Sequence, residues 1–383
     1  MSLWDELVGQ SEAAELLRAA ANNNPAHAWL IVGPPGSGRS NLAYAFAAEL
    51  LDAGKGDAAD RDRTRRLVEN RSHPDLSVLS TDRVIITIDE VRRLVAGSYY
   101  APSSGRYRIV VVEDADRMSE RTSNVMLKAL EEPPDSTIWI LCAPSEADLL
   151  PTIKSRVRTV RLRIPSSEEV AALITKRDGV DASLALEVAR QAQNHVGMAH
   201  RLATSVEARE RRDASVRSVL AVKGAAGAVF TAAELFKIAE ADAKDLAGEQ
   251  GDEERAEFFR MLGLEPGQAV PMGQRAQLRD LEEGQKRRAT RNQRDAIDRI
   301  LVDILGLLRD ALSLSLGIGE PLINAEYRIQ LEALVGRRSS VALIQAVESV
   351  ELARKRLSTN AAPLLILEAM LVGFSFDSVQ HQR

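Results

Sequence analysis

Ala28-Trp-Leu-Ile-Val32 runs directly into Gly33-Pro34-Pro35-Gly36-Ser37-Gly38-Arg39-Ser40, and an alanine-rich stretch, Asn41 to Leu51, follows. Five unbroken apolar residues bounded by glycine and proline predict a strand buried on both faces. Such a strand, then glycines, then a helix is the context of a phosphate-binding loop. The glycines let backbone N–H groups converge on an anion, and the helix N-terminus adds positive potential. The spacing matches G-x-x-x-x-G-K-[ST] with one change, because Arg39 stands where lysine belongs. Arginine keeps the charge but is longer, planar and forked, so it does not simply replace an ammonium reaching between phosphates. Two readings stand on these residues alone: a nucleotide-type loop, favoured by the strand and helix around it, and a ligand-free turn. Occupancy by nucleotide stays open.

Further strands are predicted at Leu76–Leu79, Arg108–Val112 and Thr137–Leu141, with helical spacing between them and at Glu12–Ala21. Strands alternating with helices predict an α/β fold: a mostly parallel sheet covered on both faces. Between Asp52 and Asn70 the residues turn small and charged, as in an exposed insertion ending in a short helix. After Ile164-Pro165 the pattern changes. Ser166-Ser-Glu-Glu169 is a helix start with acids in its first turn, and everything beyond it reads as all-α. A continuous helix is expected over 197–210, a glycine- and proline-rich loop between Gly263 and Gly273, and a long helix over about 276–316. The expected domains are residues 1–165 (α/β), 166–210 (small helical) and 211–383 (larger all-helical).

The 383 residues correspond to two or three domains at a nominal size of about 150 residues. Hydrophobic residues at 45% and charged residues at 27% exclude global disorder. One cysteine, Cys142, excludes an internal disulfide framework and any multi-cysteine metal cluster. A net charge of −5 gives no chain-wide attraction to nucleic acid. The acidic start, Met1-Ser-Leu-Trp-Asp-Glu6, and the lack of a long apolar span predict a soluble, cytoplasmic protein without membrane contact.

Two more stretches carry candidate chemistry. Arg108-Ile-Val-Val-Val112 leads into Glu113 and Asp114, acids at the end of a buried strand, where a phosphate-loop protein holds Mg²⁺. Capping of the next helix is the equal alternative for such acids. Leu149-Leu-Pro-Thr-Ile-Lys-Ser155-Arg156 places an arginine near the end of the α/β region. A surface ion pair is its plain alternative, since Arg158, Arg161 and Arg163 share the run. Asn124 to Pro134 reads as a packed helix stopped by two prolines, with no chemistry implied. His27, His195 and His381 show no partner spacing and are expected to be structural or exposed. The basic run Lys286–Arg294 is nearly balanced by nearby acids and reads as a solvated helix face.

Together these stretches resemble the delta-prime subunits of bacterial DNA polymerase III clamp loaders, an AAA+ family. The resemblance rests on Val8-Gly-Gln10, His27 to Pro35, His73-Pro-Asp75, Ile88-Asp-Glu-Val-Arg92, Val112 to Met118, Asn124 to Pro134 and Leu150 to Arg156. Leu357 to Glu368 is similar to the family's C-terminal collar helix. The resemblance implies a RecA-like AAA+ domain, a small helical lid and a helical collar. It implies a stator subunit, a component of the polymerase holoenzyme with no polymerase activity of its own, that helps ATP-driven loading of the sliding clamp on primed DNA. Its partners would be gamma/tau and delta subunits. Ser155 and Arg156 would project into a neighbour's ATP site.

The same resemblance makes three departures informative. Residues 52–72 lack the four cysteines of the family's zinc module, so no zinc is expected and the insertion needs another source of order. The sensor position three residues after Gly197 is His200 instead of arginine, which with Arg39 argues against hydrolysis in this chain, so that any ATP or ADP bound would not be turned over. A polar stretch around 247–290 adds length. Val157 follows Arg156 where cysteine is frequent and is expected to be a packing substitution. Two alternatives are a gamma-like ATP-hydrolysing motor and a homo-oligomeric DNA-repair AAA+ factor.

Overall fold

A computed structural model describes residues 3–52, 57–81, 85–261, 274–357 and 361–376, with single positions at 264, 268, 271 and 359. His381 and most of 263–273 lie outside the described residues. The chain divides into two compact units, Met1–Thr204 and Ser205–Arg383.

The first unit holds strands β1 (Ala28–Val32), β2 (Leu76–Leu79), β3 (Arg108–Val112), β4 (Thr137–Ala143) and β5 (Arg158–Arg161). Its helices are α1 (Ser11–Asn22), α2 (Arg39–Asp52), α3 (Ala58–Glu69), α4 (Ile88–Ser98), α5 (Glu120–Glu131), α6 (Pro151–Lys154), α7 (Ser167–Asp178), α8 (Ala182–Gln191) and α9 (Val196–Thr204). All strand pairings are parallel, in the order β2-β3-β4-β1-β5. Every residue of β1 and β4 is buried, because helices cover both faces. Successive side chains alternate between those faces. Trp29 and Ile31 pack with Leu42, Phe46 and Leu50 of α2. Leu30 and Val32 pack on the other side with Val110, Val112, Trp139 and residues of α4 and α5. Each large side chain withdrawn from water in this way contributes roughly 1.5–3 kcal/mol.

The four predicted strands are present, and β5 is a fifth that the apolar pattern does not reveal. It is an edge strand of sequence Arg158-Thr-Val-Arg161 with only Val160 buried, so it lacks the apolar run of a central strand. Arg158 lies over the Trp29 ring at 5.1 Å, and Arg161 pairs with Glu146 at 2.6 Å.

The cysteine-free insertion is ordered by packing, and a buried carboxylate follows it. In α3, Thr64 and Val68 are buried, and Arg71 just beyond it stacks over Tyr44. The His73-Pro-Asp75 segment turns inward: the Asp75 N–H donates to His73 Nδ1, and the Asp75 side chain is fully buried. Its two oxygens accept from the N–H and hydroxyl groups of Ser103 and Ser104 at 2.5–2.9 Å. Burial alone would raise the Asp75 pKa, but these four bonds outweigh it and hold the carboxyl well below its usual range.

The second unit is helical: α10 (Val206–Leu220), α11 (Gly224–Met261), α12 (Arg275–Ser315), α13 (Arg328–Val335), α14 (Ser340–Leu357) and α15 (Pro363–Phe376). The stretch 197–210 is two helices rather than one, because the Ser205 hydroxyl caps the start of α10 by accepting from the Ala208 N–H. Ile297, Leu301, Leu343, Val350, Leu367 and Leu371 are among the residues of one continuous core. A polar network crosses it. Arg212 donates to Asp303 and Asn324, and Asp310 accepts from the Ile323 and Asn324 N–H groups. Within the basic run, Arg287 pairs with Glu283 on the same helix, but Arg288 reaches Glu254 of α11 and Arg294 donates to Leu357 O, so the run is partly packed on its neighbours and not simply a solvated face. No helix of the described residues is long and apolar enough to cross a membrane.

Asp75→Asn is expected to destabilise the first unit by roughly 2–3 kcal/mol at pH 7, since it disturbs buried charge-assisted hydrogen bonds. Because the folded pKa is depressed, the contribution is complete above the ordinary carboxylate pKa of about 4 and is lost as pH falls. All three tryptophans (Trp4, Trp29, Trp139) lie in this unit, so tryptophan-monitored unfolding reads it selectively. The gap between parent and variant should narrow below about pH 4; a gap independent of pH would contradict the assignment.

Candidate functional site

The glycine loop sits where the sequence places it, between β1 and α2. The Gly33 N–H continues the sheet by donating to Ala143 O, and the Ser37 N–H closes a turn onto Pro34 O. Gly36 (φ +80°) and Gly38 (φ +89°) occupy backbone conformations that favour glycine. Gln10, from the Val8-Gly-Gln stretch, clasps the loop. Its amide donates to Ser37 O and Arg163 O, and its oxygen accepts from the Arg163 N–H. Gln10 thus ties the N-terminal segment, the loop and the chain just beyond β5 together.

Two side chains turn this loop in on itself. Arg39 donates to the carbonyl of Gly33 at 2.7 Å, the first residue of its own loop. His195 lies on Gly36: a Cβ placed there would meet the imidazole ring at 2.3 Å. The histidine is set by a turn between α8 and α9, with Gln193 (φ 49°) and Asn194 (φ 64°) left-handed, and the Met198 N–H donates to its Nδ1. The expectation that His195 is merely structural or exposed understates its position. Ser37 is buried, and its hydroxyl meets no hydrogen-bond partner among the described residues. Cys142, on the neighbouring strand, is fully buried and pushed up to about 12 by that burial, so it is no nucleophile.

The paired acids are likewise engaged. Glu113 Oε1 accepts from the Tyr44 hydroxyl at 2.5 Å and pairs with Arg71 at 2.9 Å. Burial, and then Glu113, push the Tyr44 pKa up, so it stays a donor. Asp114 lies 3.9 Å from Arg117 and gives no side-chain cap to the turn that follows. Asp116 is raised by burial and then by Asp114. Among the described residues no group of three or more His, Cys, Asp or Glu is arranged to hold a metal ion. At the expected sensor position, His200 Nδ1 is 2.9 Å from Asp178. The residues present therefore do not fit a hydrolytic nucleotide–metal centre: the loop cation is turned inward, a ring covers Gly36, and Glu113 is spent on Tyr44 and Arg71.

Ser155 and Arg156 face the other way. Pro151 opens the short helix α6, Ile153 anchors it in the core, and Ser155 ends it. Arg156 NH1 donates to Thr152 O at 2.6 Å and to Ser155 Oγ at 2.9 Å, and NH2 pairs with Glu131 at 2.5 Å. The guanidinium is about a third exposed. Val157 packs against the core, in keeping with a packing substitution. The ion-pair alternative for Arg156 is thus real, and its partner lies in the proline-stopped helix to which the sequence assigned no chemistry. Sequence spacing hides Tyr44, Arg71, Glu131 and His195 alike, since each meets its partner only through the fold.

Comparison with known proteins follows this geometry. Residues 9–166 match the family model described as DNA polymerase III, delta subunit, and residues 290–375 match its C-terminal counterpart. The chain is 34% identical over 160 residues to DNA polymerase III subunit delta' of Pseudomonas aeruginosa, covering 40% of this chain and 45% of that protein. It is 35% identical over 147 residues to subunit delta' of Haemophilus influenzae, covering 37% and 44%. Against DNA polymerase III subunit gamma/tau of Mycobacterium bovis it is 29% identical over 177 residues, covering 45% and 30%. The matched stretches span less than half the length of these relatives.

Gly36→Ala is expected to cost the first unit roughly 2–4 kcal/mol, from the positive φ and the collision with His195. Adding His195→Ala should recover the steric part and leave about 1 kcal/mol for the backbone. Tryptophan-monitored denaturation of both variants checks this; equal losses in the single and double variants would place His195 elsewhere.

Proposed function

We propose, from the premise that this chain is related to the delta-prime subunits of DNA polymerase III, that it is a clamp-loader subunit serving a neighbour's ATP site. It works in the cytoplasm in a complex with gamma/tau and delta subunits, which loads the sliding clamp on primed DNA. It acts there as a stator. The single observation that carries this reading is the opposition of two charges. Arg39 is folded onto its own loop, whereas Arg156 stands at the surface on a helix anchored in the core.

Arg156 would offer its planar guanidinium to the γ-phosphate oxygens of a nucleotide bound by the adjacent subunit. Such a cation neutralises charge spread over the equatorial oxygens during phosphoryl transfer. Ser155 contributes by holding the guanidinium through its hydroxyl. The chain's own loop, Gly33 to Ser40, holds any ATP or ADP without turnover. The His195 ring is packed on Gly36 of this loop, and Glu113 is already committed to Tyr44 and Arg71. These features favour a stator over a gamma-like motor.

In a loader reconstituted with the other subunits, Arg156→Ala is expected to lower clamp- and DNA-stimulated ATP turnover at least about tenfold. A trans arginine is worth roughly 10³–10⁵ at the site it serves. Assembly, followed by size-exclusion chromatography, should be intact. Unchanged turnover in the assembled complex would overturn the assignment of Arg156.

A further inference from the structure

We infer that Glu131 is a positioning residue for Arg156, holding the guanidinium in the orientation that it presents to a neighbouring subunit. The inference rests on the proposed role of Arg156 and gives the Glu-Glu-Pro-Pro segment a task.

Glu131 is the last residue of α5. Pro133 and Pro134 follow it and cannot continue the helix. The end of α5 is fixed from two sides. The His27 ring donates from Nε2 to Leu130 O at 3.1 Å. Met126, Ala129 and Leu130 are buried in the same core as Ile153 of α6 and the partly buried Val157. The backbones carrying the carboxylate and the guanidinium are thus packed on one common surface. Close-packed interiors of this kind do not stretch, so the separation of the two charged groups is set by the fold.

The hydrogen bonds give the orientation. Arginine has five N–H donors in a rigid fork. NH1 donates to Thr152 O and Ser155 Oγ, and NH2 stands 2.5 Å from Glu131 Oε1 in an ion pair. The Nε–H takes part in none of these contacts, and the guanidinium is about a third exposed. A planar guanidinium fixed in this way suits recognition of phosphate oxygens. Without Glu131 the NH2 end is unrestrained and the long side chain regains rotamers that must be lost again on docking. As a stability device the pair would be weak, because both side chains are substantially exposed and such pairs contribute little. Its effect is expected in turnover rather than in folding.

The test is a double-mutant cycle in the reconstituted loader, reading kcat and KM for stimulated ATP turnover. Glu131→Ala should lower kcat about 3- to 10-fold with KM for ATP little changed, and with melting and assembly like the parent. Glu131→Gln, which keeps an acceptor, should recover part of the loss. In an Arg156→Ala background, Glu131→Ala should have no further effect. Parental kcat in Glu131→Ala, or an equal fold-loss in the Arg156→Ala background, would overturn the positioning role while leaving Arg156 in place. Parental turnover in Arg156→Ala alone would strike the underlying reading instead.

Discussion

The register of β1 between β4 and β5 is the constraint on which the functional rim depends. Val32 aligns with Ala143 on one side and Arg161 on the other, and Val112 aligns with Leu141 on the next strand. All neighbours are parallel, so the chain leaves β1, β3, β4 and β5 at the same edge. The glycine loop and Glu113 lie at that edge, whereas Ser155 and Arg156, just before β5, lie at the opposite edge, where Arg158 aligns with Trp29 at the start of β1. The sheet faces are too dry to accept charge without a partner. Polar chemistry is therefore placed at the two edges of the sheet, and the edge at the strand C-termini is the usual location of ligand sites in parallel sheets.

At the two edges of the sheet, charges are used in opposite ways. Around the glycine loop they are paired within the chain: Arg39 with Gly33, Glu113 with Tyr44 and Arg71, His200 with Asp178. His195 fills the space above Gly36. At the opposite edge, Arg156 is held by Thr152 O, Ser155 Oγ and Glu131 and remains about a third exposed. A cation presented this way costs little to desolvate on docking, and guanidinium is more weakly hydrated than ammonium. The division between an inward loop and an outward arginine matches a subunit that completes a neighbour's chemistry.

Much of this architecture was legible in the sequence, for physical reasons that also explain the gaps. Strands β1 to β4 carry apolar runs because both faces are covered, and the Gly33–Ser40 spacing identifies its own turn. Strand β5 has one covered residue, Val160, between arginines and a threonine, so no local pattern distinguishes it from a loop. Ser205 divides the stretch expected as one helix through a side-chain cap that apolar periodicity does not register. At the site, Arg156 was readable from its motif. Its partner Glu131 was not, because the ion pair depends on how α5 and α6 share a core. His195 was missed for the same reason: only the left-handed turn at Gln193 and Asn194 carries its ring to Gly36. The contacts of Asp75 with Ser103 and Ser104, across 28 and 29 residues of chain, were hidden likewise.

Steady-state phosphate release by the full chain alone, with Mg²⁺ and ATP, compares the two uses of charge most directly. Release at the buffer background, identical in the parent and in Ser40→Ala, is the result that the proposed stator role predicts. Sustained release that Ser40→Ala abolishes would contradict it and identify the chain as a motor in its own right.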